Sequence, residues 1–184
     1  MTLFREDVLA AKMAKDMVIN HNLDPLVAEK LAKNFLKVLT DRLKHWKLSK
    51  EAVELKFPNL GSFRIRRSTF NTQNLKDKEA SSEAFTVAFK VTNKFKAAKD
   101  SGARIRVQMV STKTKAVFAE TIRYGQLEKV CEAFANVLLM VLITGEGYRL
   151  AGLGSFECRS RKNPNVLGLT NVSDRVRVLK FINL

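Results

Sequence analysis

The spacing of apolar positions along the chain changes period in the same order twice. Leu31, Phe35, Val38, Leu39 and Leu43 recur at steps of three, four and seven, and so do Val130, Phe134, Val137, Leu138 and Val141. Each set therefore lies on one face of a long amphipathic helix. Asp24-Pro25 opens the first of these, since Asp caps a helix and Pro suits its first position. A shorter helix is expected before each long one, over about residues 3–18, ending near Asn20-His21-Asn22, and over about residues 112–122, closed by Gly125. After each long helix the period falls to two. Val53, Leu55 and Phe57 lead into Phe63 and Ile65, and Tyr148 and Leu150 lead into Phe156 and Cys158, which predicts two β-hairpins. Asn59 and Gly61 in the first turn correspond to Gly152 and Gly154 in the second, a fitting exchange because Asn is the non-Gly residue that best tolerates positive φ. A dinucleotide-binding loop is the rival reading of Gly152-x-Gly154, a weak one because a strand pattern follows where that motif needs a helix.

Two blocks repeat in the same order. Glu29-Lys30-Leu31 recurs as Glu128-Lys129-Val130, and Leu60-Gly61-Ser62-Phe63 as Leu153-Gly154-Ser155-Phe156, with Arg66 matched by Arg159. This predicts an internal duplication. Polar stretches at 66–84 and 160–173 read as exposed excursions, each followed by a returning basic strand, 85–91 and 175–181. The first copy alone continues into a short basic helix, 94–99, and residues 103–110 read as a strand-like linker. The expected division is 1–100, a linker at 101–110, and 111–184.

Charge changes the picture most. Lys and Arg number 33 against 18 Asp and Glu, a net charge of +15 shared by both halves. Such an excess repels itself in the compact state and answers a polyanionic partner, most often nucleic acid. The 184 residues, 46% hydrophobic and 28% charged, suit a folded soluble protein of one domain or two small ones. The longest apolar run, 137–143, is far below the roughly 20 residues of a spanning helix, so no membrane partner is expected. The first residues mix both charge signs, unlike a secretory or transit peptide, so the mature chain is expected to begin there. Cys131 and Cys158 have neither CxxC spacing nor a nearby His, which points to reduced, mostly buried thiols and away from a zinc site. His21 and His45 read as solvated surface side chains, and Trp46 as a packing anchor. No nucleophile–base pair, carboxylate pair or phosphate loop stands out, so neither an enzyme nor a cofactor or small-molecule substrate is expected.

Two helices, a hairpin with a Gly-Ser-Phe turn, a polar basic arm, a returning strand and a small basic helix: this order resembles the HU and integration host factor family of bacterial architectural DNA-binding proteins. In the first copy the resemblance rests on Ala88-Phe89-Lys90 followed by Lys94-Phe95-Lys96-Ala97-Ala98-Lys99-Asp100. In the second it rests on Gly152-Leu153-Gly154-Ser155-Phe156 and on Arg159-Ser160-Arg161-Lys162-Asn163-Pro164. It implies an α+β fold of two tandem domains forming an intrachain pseudo-dimer, with Phe63, Phe89 and Phe156 at the joint and Leu179 standing where Phe89 stands. It also implies double-stranded DNA lying across paired sheets, with arms reaching into the minor groove. Arg159 and Arg161 would meet phosphates or the groove floor, Pro164, preceded by Asn163, would wedge between base pairs, and Lys90, Lys94, Lys96 and Lys180 would contact phosphates. Arg66, Arg67, Lys162, Arg175 and Arg177 complete the expected DNA-facing set. The first arm departs from the family in lacking Pro, with Phe70 as its candidate apolar tip, and the second copy lacks the final basic helix. The expected function is a non-enzymatic, cytoplasmic, nucleoid-associated protein that bends or coats duplex DNA. The alternative is a virion structural subunit, for example of a phage neck or tail ring, assembled from copies of itself or with other subunits.

Overall fold

The computed structural model describes residues 2–68, 84–123, 125–162 and 175–184. They form a mixed α+β fold of five helices and two sheets, in the order β1 (Leu3–Phe4), α1 (Glu6–His21), α2 (Pro25–Ser49), β2 (Glu54–Phe57), β3 (Gly61–Ser68), β4 (Ala84–Val91), α3 (Asn93–Ser101), α4 (Thr112–Phe118), α5 (Gln126–Thr144), β5 (Gly147–Leu150), β6 (Gly154–Lys162) and β7 (Arg175–Asn183). One sheet has the order β2-β3-β4, the other β1-β5-β6-β7. All pairs are antiparallel except β1 with β5. No helix among the described residues is long and apolar enough to cross a membrane.

Local chemistry sets most boundaries. Asp24 Oδ1 accepts from the backbone N–H of Leu26 (2.9 Å) and Val27 (3.3 Å), with Pro25 at the first helical position, so α2 starts where the sequence predicts. Thr92 and Ser111 cap α3 and α4 in the same way, and Gly125 and Gly145 bracket α5 in the left-handed region. Asn59 (φ 62°) and Gly152 (φ 77°) occupy equivalent places in the two hairpin turns, as their exchange predicts. The following Gly61 and Gly154 are required for a different reason: a Cβ at either would collide with the backbone oxygen across the strand pair, of Lys90 or of Ile182.

One continuous core takes side chains from both halves of the chain. Its centre is aromatic. The Phe35 ring of α2 stacks on Phe118 of α4 at 5.0 Å and meets Phe134 of α5 edge-on at 5.2 Å. Phe63 of β3 and Phe156 of β6 meet edge-on at 5.8 Å, so the two sheets share a joint. Trp46 is buried at its edge as a packing residue. Cys131 and Cys158 are unpaired; Cys131 is fully buried, which pushes its thiol well above the ordinary range.

Several expectations are corrected. The first helix begins at Glu6, not near Leu3, because Leu3 and Phe4 pair with Gly147 and Tyr148 of the other half. α4 stops at Phe118, not Ile122. Phe181, not Leu179, takes the place of Phe89: Phe156 lies across from Phe181 as Phe63 lies across from Phe89, whereas Leu179 faces Cys158 as Val87 faces Ile65. The linker is not a strand. Its backbone is satisfied by side chains of α5, with Asn136 accepting from Ile105 N (2.9 Å) and donating to Ile105 O (2.9 Å), and Glu132 Oε1 accepting from Val107 N (3.0 Å).

His21 is not a solvated surface residue. Its Nε2 lies 2.6 Å from Glu132 Oε2, inside a network in which Arg104 of the linker forks onto Asp16 of α1 (2.7 and 2.8 Å) and also reaches Glu132 (2.8 Å). The Asp16 hydrogen bond raises the Arg104 pKa further. Burial alone would raise the Glu132 pKa; the hydrogen bonds from Arg104 and Val107 and the nearby His21 outweigh it and hold the carboxyl below its ordinary value. This latch ties α1, the linker and α5 together.

Candidate nucleic-acid interface

Alternation along β3, β4, β6 and β7 sends one set of side chains to the core and the other outward. Cross-strand partners share a face. Phe63 with Phe89 and Phe156 with Phe181 point inward, whereas Ser62 with Lys90 and Arg64 with Ala88 point outward. The outward sets of the two sheets border one groove of about 410 Å³, lined by Arg64, Arg66, Lys90 and Lys96 from the first half and by Arg161 and Lys180 from the second. No acidic side chain is among its lining residues. Six cations around one concavity focus positive potential and suit a chain of phosphates. Below them the rings of Phe63, Phe89, Phe156 and Phe181 form a rigid floor, with centroids 4.8 to 6.1 Å apart.

The seam between the sheets is closed by a side chain. Asn183 at the end of β7 accepts from Val87 N (2.9 Å) and donates to Val87 O (2.8 Å), standing in for a strand neighbour along β4. The groove thus has two walls in a fixed relation.

No protein-family model, curated protein or solved structure matches this chain.

Of the residues singled out in the sequence, Arg66, Lys90, Lys96, Arg161 and Lys180 meet in the groove. Others do not. Arg177 turns to the opposite face and donates Nη1 to the carbonyls of Leu142 and Ile143 (both 3.0 Å), where it caps the C-terminus of α5. Lys94 lies at a separate depression between α3 and the linker. Arg67, one residue from Arg66, points to the other face of β3, as a period of two demands. Arg159 shares its face with Arg161, as expected, but its Nη2 is held 2.8 Å from Glu157 Oε1. Glu157 is itself buried and accepts from Ser155 Oγ at 2.6 Å. Part of the Arg159 charge is therefore already matched within the protein. Lys162 and Arg175 are backbone register partners at the ends of β6 and β7, and their side chains lie outside those described. Phe70, Asn163 and Pro164 lie outside the described residues. Arg64 was the residue missed, although alternation from Arg66 would have found it; a 3.5 Å ion pair with Glu54 offsets some of its charge.

Proposed function

We propose that the chain is a non-enzymatic architectural DNA-binding protein similar to HU and integration host factor, with two tandem halves joined as an intrachain pseudo-dimer, and that it bends or coats duplex DNA with weak sequence preference. The observation that carries this reading is the groove in which Arg64, Arg66, Lys90, Lys96, Arg161 and Lys180 converge across two sheets. The order of two helices followed by three strands occurs in both halves, which supports the duplication. Lysine and arginine at a concave surface neutralise phosphates and release counterions without reading bases, hence the weak preference for sequence.

The test is titration of a labelled duplex at several salt concentrations. Affinity should fall with salt at about 0.9 log units per phosphate neutralised. The triple substitution Arg66→Ala, Lys90→Ala, Arg161→Ala should make the slope shallower by up to about 2.7 units, and Lys94→Ala should leave it nearly unchanged. Absence of duplex binding at low salt, with closed rings in solution, would replace this reading by that of an assembly subunit.

A further inference from the structure

A second groove, of about 630 Å³, runs between α1 and α5 and shares no lining residue with the cationic one. Its centre is apolar. The last twelve residues of α5, 133–144, contain no charged side chain, and the outward stripe of that segment exposes Met140 and Ile143 (47% and 54%) beside Ile19 of α1 (68%). Val137 and Tyr148 form the floor. The polar groups near this stripe are already engaged: Asn136 with Ile105 and with the Glu132 carbonyl, and Thr144 Oγ1 with the Met140 carbonyl. An apolar stripe depleted of charge within a strongly charged surface is the composition of an interface centre.

The rim identifies the partner. Lys15 borders the groove and has no partner among the described residues, while Asp16 beside it is taken up by Arg104 and Glu146 lies near Lys12. Lys12 and Arg104 border the same groove, so three cations line it against the one carboxylate of Asp16. A second copy would bring the same cations to the same rim and add another +15, which disfavours self-pairing. A flat anionic bilayer would touch the tips of Ile19 and Ile143 and leave the floor at Val137 and Tyr148 uncovered. We propose that this groove receives an amphipathic helical segment of another protein, with its apolar stripe on Ile19, Met140 and Ile143 and its carboxylates toward Lys12 and Lys15. This second function, recruitment of an acidic partner, does not depend on the DNA reading.

The test uses the full-length chain and two fluorescent designed peptides, each about four turns long, with the same Leu stripe flanked either by Glu or by Lys. The Glu-flanked peptide should bind saturably, about tenfold or more tighter than the Lys-flanked one. Met140→Glu, at an exposed position where a melt can verify the fold, should weaken it by a further tenfold or so. The pair Arg66→Ala and Lys90→Ala in the cationic groove should leave peptide binding unchanged. The proposal is overturned if the two peptides bind alike or neither binds. Indifference to Met140→Glu, or sensitivity to the cationic-groove pair, overturns it equally. It also fails if Met140→Glu instead abolishes a dimer in sedimentation or flotation with phosphatidylglycerol vesicles.

Discussion

The two long helices, α2 and α5, do the same work on their inner sides and opposite work on their outer ones. Each sends a phenylalanine, Phe35 or Phe134, into the centre of the core, and the two rings touch. Outwardly α2 shows Glu29, Lys30, Lys33, Lys37, Asp41 and Arg42 to solvent, whereas α5 past Glu132 shows none. At the position where the repeated pattern sets the solvated Lys33 of α2, α5 has the buried Glu132. The difference teaches that a shared packing role constrains only one helical stripe. The remaining surface of α5 is taken up by α1, the linker and the latch, with one strip left open.

Three experiments break or sharpen this comparison. The largest effect is expected in the shared part: Phe35→Ala and Phe134→Ala should each cost about 3–5 kcal/mol in denaturant titration. Because the rings touch, the double substitution should depart from additivity by about 0.5–1.5 kcal/mol. A near-zero loss for one of them would break the equivalence of the helices.

Next comes the buried carboxylate. The Glu132 carboxyl is held below its ordinary value, so its contribution is complete above the ordinary carboxylate range and is lost as pH falls through the lowered value. Glu132→Gln should cost about 1.5–3 kcal/mol near neutral pH. It should also flatten the acid limb of stability from about pH 5 downward, with Asp16, Arg104 and His21 still in place. Urea melts across that range check both. The smallest effect belongs to α2, where Lys33 pairs with Glu29 at 2.7 Å in full view of solvent. Lys33→Ala should change stability by no more than about 0.5 kcal/mol, and high salt should erase the difference.

What the sequence made legible was what is local. Periods of 3.6 and 2 located the helices and strands, and Asn59 and Gly152 marked the turns, because these signals reside within a few residues of one another. The cationic groove was readable to the extent that alternation fixes a strand's face, which covers Arg66, Lys90, Arg161 and Lys180. Features with distant partners were hidden. His21 finds Glu132 111 positions away, and Arg177 finds the end of α5 34 and 35 positions away. No spacing encodes such meetings. The place of Phe89 was given to Leu179 and belongs to Phe181 for a related reason, since strand register is set by the pairing across β6 and β7.

The parallel pairing of β1 sets a timetable for synthesis. Leu3 leaves the ribosome long before its neighbour Gly147, which is made 144 positions later. At ~5–20 residues per second the delay is roughly 7–30 s. That interval is ample for α1 and α2 to close on each other as a helical hairpin, which needs microseconds to milliseconds. The nascent chain therefore waits with Leu3 and Phe4 unpaired and with the flank of α1 that will meet α5 open to water. A half-made molecule is thus its most adhesive form.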